Sequence, residues 1–399
     1  MARDVTAPSS PARRRFLQTA SAAAGLMLPA RTWASFLTQA DCIEPPRGEL
    51  IRTLPLYGPG AQEAPLGTMV GGPGLDARLF TDLSSLDAGR MLTATPDVFV
   101  RTAVPPGLPM DAAGWRLSLG GSAAAPGSGP TAAGLAAKAS AMGAHLIECA
   151  GNSNPRNFGL MSAVEWDGLP LSAVLQSVRP PADAWAVLVS GVDDPTQQSA
   201  RSQPGASWIF PLDTLDAVGP FLAVAMNGEP LTAHHGAPIR LVVPGWYGCA
   251  WIKWVNEIRW VPRDTPATSQ MLEFAGRTHQ DGRPALARDF LPPEIDTAAM
   301  PIRVEQRRVD GALEYRIVGI VWGGRAPVDR LIIRFGPRDA GTPIRVCPPT
   351  SRTWSLWTHR WRPSDPGYYD ISLKVADAAV RTRRLDLSFY IRRVRIDEV

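Results

Sequence analysis

The chain has 399 residues, with 41 Lys or Arg against 37 Asp or Glu, for a formal charge of +4. With 45% apolar residues it can bury a sizeable core, which excludes wholesale disorder. Its 36 glycines and 39 prolines exceed the ordinary share, which argues against a helix bundle and for strands joined by loops.

The basic excess is local. Arg13-Arg14-Arg15-Phe16-Leu17-Gln18 fits the twin-arginine export pattern, a mildly apolar stretch runs from Thr19 to Ala30, and Thr32-Trp33-Ala34 offers a small-residue cleavage site. Residues 1–34 are therefore predicted to be a signal peptide to the periplasm, by a route that carries folded proteins, often with a cofactor already inserted. The apolar stretch is too short and weak to span a bilayer, so no stable membrane anchor is expected. Cleavage after Ala34 removes five basic residues and one acidic residue, and the remainder is formally neutral. A nucleic-acid partner thereby loses its electrostatic support.

Residues 35–95 read as a Pro/Gly-rich N-terminal extension. From Asp97 onward Val98–Arg101 and Trp115–Leu119 read as strands, Thr131–Met142 as a short helix, and His145–Glu148 as a buried strand ending at Cys149. Leu169–Val178 is helix-like and stops before Pro180-Pro181, while Trp185–Ser190 and Ile239–Val243 read as further buried strands. A linker rich in proline (Pro262, Pro266, Pro284, Pro292-Pro293) closes a unit spanning 96–298. Beyond it, Leu313–Val321, Val328–Phe335, Trp354–Trp361, Tyr368–Ala376 and Leu385–Val394 alternate at sandwich spacing, so 299–399 is predicted to be an immunoglobulin-like sandwich.

Four cysteines (Cys42, Cys149, Cys249, Cys347) include no Cys-x-x-Cys pair, which excludes zinc knuckles and covalent c-type haem. Buried structural cysteine is the default for Cys249 and Cys347. The five histidines show no zincin pattern.

Three segments carry the chemistry. Glu148-Cys149-Ala150-Gly151-Asn152 puts a thiol at a strand end where the backbone turns sharply, in position to face a cavity. His235-Gly236-Ala237-Pro238-Ile239-Arg240 sets a histidine and an arginine at the two ends of a short turn entering a buried strand. Pro244-Gly245-Trp246-Tyr247-Gly248-Cys249-Ala250-Trp251-Ile252-Lys253-Trp254 combines a glycine-rich loop, able to lay N–H groups against an anion, with a lysine point charge. An inert core cysteine, a capped turn and an aromatic core loop are the plainer readings of the same segments.

Together with Trp166-Asp167-Gly168-Leu169-Pro170-Leu171 and Ser190-Gly191-Val192-Asp193, and in this order, these segments resemble the sulfite oxidase family of molybdenum enzymes over roughly residues 95–399. The resemblance implies an α+β mixed molybdopterin-binding domain of the sulfite oxidase type followed by the all-β immunoglobulin-like sandwich as a dimerisation domain. It implies a molybdenum–molybdopterin cofactor, with no haem or flavin in this chain. Cys149 matches the thiolate that ligates molybdenum, a soft donor suited to that metal. Phe99-Val100-Arg101 matches the strand whose arginine lies beside the metal's oxo face. Asp193, His235, Arg240, Trp251, Ile252 and Lys253 match positions that hold the pterin and its phosphate. Arg101 and Arg156 are candidates to hold a substrate oxyanion, and the family's pocket tyrosine is replaced near Phe274.

The implied activity is oxidation of sulfite, or a related sulfur oxyanion, with electrons passed to a c-type cytochrome. The alternatives are a molybdopterin reductase of sulfoxides or N-oxides, and a metal-free exported binding protein.

Overall fold

Strand patterning wins almost wherever it competes with helix in this chain. The computed structural model describes residues 43–58, 64–109, 111–121, 127–200, 203–387 and 390–399, so the expected signal peptide and Cys42 lie outside the described residues. The stretch expected to be helical from Thr131 to Met142 shows the competition. Thr131 caps a helix by accepting a hydrogen bond from the Gly134 N–H at 3.0 Å, but the helix covers only Ala132–Ala136. Residues from Ser140 join the strand Ser140–Glu148 instead, because pairing with Met161–Pro170 satisfies their backbone and buries the strand's second half. Ladder pairing here overrides the helix propensity of alanine and methionine.

The α-helices of the described residues are short: Ala132–Ala136, Leu171–Leu175, Leu212–Val218 and Ser269–Phe274. The α+β expectation therefore becomes a mostly-β architecture. Two sheets frame the middle of the chain. One runs Glu229–Pro230, Phe221–Met226, Met161–Pro170, Ser140–Glu148, with Arg240–Val242 also paired to Phe221–Met226. The other runs Ser118–Gly120, Val255–Val261, Ala186–Gly191, Ser207–Pro211, parallel only at its first pair. A small three-stranded sheet, Val70–Gly71, Asp76–Leu79, Val100–Thr102, lies ahead of them in sequence.

Two four-stranded antiparallel sheets make the C-terminal part. One orders Glu49–Leu54, Ala298–Val309, Ala312–Trp322, Trp354–Trp361; the other orders Thr342–Arg345, Arg330–Phe335, Gly367–Val375, Arg392–Ile396. Glu49–Leu54 comes from the stretch read as an extension, and it forms the edge of a C-terminal sheet by pairing with Ala298–Val309. Among the described residues the main apolar core runs from Leu54 to Ile396 through both parts of the chain, and Ala77, Leu79 and Val100 form a small second cluster. No helix among the described residues is long and apolar enough to cross a membrane.

Close approach governs one position in this framework. Gly319 pairs with Trp357 in the neighbouring strand, and a Cβ there would lie 2.0 Å from Cζ2 of buried Trp357 and 2.6 Å from the Met300 carbonyl. Gly319→Ala should therefore cost about 1–3 kcal/mol through overpacking. A lowered melting temperature in a thermal scan is the expected result; an unchanged one would show that the strand yields freely.

Candidate active site

Strand ends converge on one cavity. It is lined by Phe99, Val100, Arg101, Cys149, Asp193, His235, Arg240, Trp251, Ile252 and Lys253, which are the residues expected to hold the cofactor. Arg156 does not reach it. That side chain is exposed and lines a separate cleft with Phe158 and Arg392, because the loop after Asn152 turns away from the thiol.

The turn at Cys149 is built by its own motif. The Cys149 N–H donates to the Leu160 carbonyl at 2.9 Å, and the Cys149 carbonyl accepts from the Asn152 N–H at 3.0 Å. Asn152 Oδ1 accepts from Leu160 N–H at 3.1 Å, and its Nδ2 donates to Glu148 at 3.3 Å. These bonds explain the asparagine of the Cys-Ala-Gly-Asn run. The Gly151 N–H donates to Cys149 Sγ at 3.3 Å, which fixes the direction of the sulfur.

Behind the turn, Glu148 is fully buried. It forms a two-pronged ion pair with Arg383 (2.6 and 2.8 Å) and accepts from Trp322 Nε1 at 2.8 Å. Arg383 also donates to Tyr390 Oη at 3.0 Å and lies over the Tyr247 ring. The residue before the cysteine is thus held from the C-terminal part of the chain.

Opposite the thiol, cations crowd together. Arg240 is buried, donates from Nη1 to the His235 carbonyl at 3.1 Å, and lies 5.2 Å from the Trp166 ring centre. Among the described residues its Nε has no hydrogen-bond partner, and burial pushes its pKa down to about 9. Lys253 Nζ donates to the carbonyls of Thr102 (2.7 Å) and His234 (3.0 Å) and sits 4.3 Å from the Trp254 ring centre. Burial, then the neighbouring Arg240, hold the lysine well below its ordinary range, while Asp193 acts in the other direction. Burial raises Asp193 itself, which accepts from the Ala206 N–H at 3.0 Å.

Gly236, at φ 103°, allows this crowding, since a Cβ there would meet Arg240 Cβ at 3.0 Å and Lys253 Cβ at 3.1 Å. His235 is clamped between the Thr232 hydroxyl (2.7 Å at Nδ1) and the Val98 carbonyl (3.1 Å at Nε2). Burial first, then Arg240 and Lys253, push its pKa down to about 4, so it stays neutral.

Three further side chains stand at or beside the cavity. Cys249 is a free, buried thiol near Cys149, and burial pushes its pKa well up. Glu273 accepts from the Gln203 N–H at 2.9 Å; burial raises its carboxyl while Arg101 and Arg277 oppose that rise. Exposed Arg277 lies over the Phe274 ring, and its Nη1 and the Cys149 Sγ both come within 4 Å of the open side of Gly151. Glu273 and Arg277 flank Phe274, so the replaced tyrosine was the sequence clue to both.

The donor set suits a molybdenum–pterin cofactor. Cys149 brings a soft sulfur donor to the cavity wall, and among the described residues no three His, Cys, Asp or Glu cluster as an all-protein metal site. The metal's remaining ligands would then come from the cofactor. An anionic pterin phosphate would supply the charge that Arg240 and Lys253 lack, and would meet the open Nε of Arg240.

Residues 103–269 match the family model described as the oxidoreductase molybdopterin binding domain, which sets the class of the protein. A catalytic subunit of protein-methionine-sulfoxide reductase from Burkholderia mallei is 32% identical over 114 residues, 28% of this chain and 34% of that one. Sulfite oxidase from Gallus gallus is 26% identical over 311 residues, 69% of this chain and 64% of that one. In fold, the chain matches the sulfane dehydrogenase SoxCD of Paracoccus pantotrophus with a TM-score of 0.59 at 18% identity, covering 85% of this chain and 88% of that one. The chain spans about a third of the length of the methionine-sulfoxide reductases it matches. Its middle segment thus carries a molybdopterin-binding oxidoreductase domain, and the chain is similar to the sulfite oxidase family.

Two outcomes test the electrostatics. Arg383→Met leaves Glu148 buried and unpaired and should cost about 3–5 kcal/mol, read as a lower denaturant midpoint. His235 stays neutral in the fold down to about pH 4, whereas unfolded histidine takes its proton near 6.5. Cofactor-free protein should therefore lose stability as pH falls from 6.5 towards 4, by roughly 3 kcal/mol in all. His235→Gln should flatten that slope in a pH series of melting curves.

Proposed function

We propose that this chain oxidises sulfite, or a closely related sulfur oxyanion, and passes the electrons singly to a c-type cytochrome. The bound molybdenum–molybdopterin cofactor supplies the two-electron oxygen-atom transfer. Cys149 would hold the metal; Asp193, His235, Arg240, Trp251, Ile252 and Lys253 would seat the pterin and its phosphate. The observation that carries the reading is a pair of cations beside the thiol. Arg101 lines the cavity, and Arg277 stands on the solvent side of the Gly151 turn. Two guanidinium forks suit a trigonal oxyanion, and the partly enclosed setting strengthens each contact. Arg277 takes the role that Arg156 was expected to fill.

Sulfite oxidation consumes water and releases two protons with its two electrons. Glu273, on the same cavity wall, is placed to accept one of them. That carboxyl also favours the second reading, reduction of a sulfoxide, which consumes protons and involves an uncharged substrate that a nearby carboxylate does not repel. The methionine-sulfoxide reductase relatives weigh the same way.

We also assign the chain to the periplasm through its twin-arginine segment. The disulfide at Cys347, for which a buried structural cysteine is the sequence expectation, supports an oxidising compartment. The two C-terminal sheets are proposed to be an immunoglobulin-like dimerisation unit.

Steady-state kinetics decide between the readings. Turnover of sulfite with a cytochrome c or ferricyanide acceptor is expected; reduction of methionine sulfoxide without sulfite turnover would reverse the assignment. Arg277→Met should raise KM for sulfite about tenfold or more, the loss of one charge-assisted contact, with molybdenum content unchanged. Cys149→Ser should abolish turnover while the fold persists, checked by activity beside circular dichroism, since a hydroxyl replaces a soft thiolate poorly.

A further inference from the structure

A second cleft lies apart from the cavity at Cys149, between the Thr53–Leu56 segment, the loop at Pro155–Phe158, and the strands Ala298–Val309 and Arg392–Ile396. Its wall contains Arg392, only 5% exposed. One side of that guanidinium is spent on weak partners: Nη2 reaches Met300 Sδ at 3.7 Å, and the group lies 5.9 Å from the Phe158 ring centre. Among the described residues the buried Nη1 has no hydrogen-bond partner and no carboxylate forms an ion pair with the group. Burial alone pushes its pKa down to about 10, with no neighbouring acid acting against it.

The other charged residues of the cleft do not resolve this imbalance. Arg303 is already engaged, donating to Glu305 at 2.9 Å, a carboxylate it shares with Arg307 and Arg316, and to the carbonyls of Ser84 and Leu86. Asp82 is occupied by the N–H (3.0 Å) and hydroxyl (2.7 Å) of Ser84. Arg156 adds a second cation at the exposed edge; its backbone N–H is engaged with Asn154, and among the described residues its guanidinium makes no ion pair. A buried, unpaired positive charge is costly, and a native fold keeps one where something completes it.

We propose that this cleft binds a small tetrahedral oxyanion, held by the Arg392 guanidinium and closed over by Arg156. A guanidinium recessed among Leu54, Phe158 and Ile302 suits a compact anion better than an extended acidic chain. Sulfate and phosphate share this chemistry. The inference rests on the cleft alone and stands whichever reaction the Cys149 cavity performs.

The test uses the cofactor-loaded enzyme. Crystals soaked in millimolar selenate are mapped by anomalous diffraction, and sulfate and phosphate are titrated calorimetrically at matched ionic strength, with chloride as control. A selenium peak within hydrogen-bond reach of Arg392 is expected, lost in Arg392→Met and weakened in Arg156→Gln, while any peak beside Cys149 persists in both. Calorimetry should show oxyanion binding in the wild type that falls about tenfold in Arg156→Gln. Tighter binding of sulfate or of phosphate would identify the source. An empty cleft in the selenium map, or a cleft peak unchanged in Arg392→Met, would overturn the proposal. Should Arg392→Met fail to fold, unchanged affinity in Arg156→Gln together with an empty cleft would do the same.

Discussion

Positive charge held in one enclosed place, with little negative charge to match it, is the constraint on which this site depends. Arg240 and Lys253 stand close enough that the arginine depresses the lysine, and Asp193 is the buried acid that opposes the effect. In water such a cluster would disperse. Here each side chain is tethered to backbone carbonyls at His235, His234 and Thr102 and braced by tryptophan rings. Those tethers orient the cations without neutralising them, leaving their charge for an anionic group. Burial first, and the same cations second, keep His235 neutral, and in that state it bridges Thr232 and the Val98 carbonyl beside the cationic turn.

The thiol is placed by the opposite arrangement. Glu148 and Arg383 are buried together, compensate one another fully, and collect Trp322, Asn152 and Tyr390 around them. A buried pair of this kind adds little net stability but is expensive to break, so it sets geometry more than it adds energy. Because Arg383 and Tyr390 belong to the C-terminal part, the turn that presents Cys149 cannot be positioned by the middle sheets alone. The Glu49–Leu54 strand works in the same sense, tying the N-terminal stretch to the C-terminal sheet.

Strands with strong alternation were readable in advance: Trp354–Trp361 has the expected bounds, and Ala312–Trp322 and Gly367–Val375 differ from expectation by a residue at each end. Those that went unread include Met161–Pro170, Phe221–Met226 and Glu49–Leu54. The first two are buried on both faces for much of their length, so they lack a period-two signal, and the third is an exposed edge defined only by its partner. For the site, the Cys-Ala-Gly-Asn run and the His-Gly-x-Pro-x-Arg turn were legible because their geometry is local: Asn152 locks its own turn, and Gly236 admits Arg240 and Lys253 at close quarters.

The sequence by itself marked the segments that meet at the cavity and the alternation of the C-terminal strands. Those follow from local spacing, composition and backbone freedom. Only the tertiary structure decided which cations face the thiol. Arg156 follows Cys149 by seven residues yet lines another cleft, whereas Arg277, more than a hundred residues away, comes to the Gly151 turn. The same holds for Glu273 in the cavity and for Arg383 behind Glu148. Charge interactions act through space and fall off with distance, not with chain separation, so the partners of a charged site are settled by the packing of strands remote in sequence.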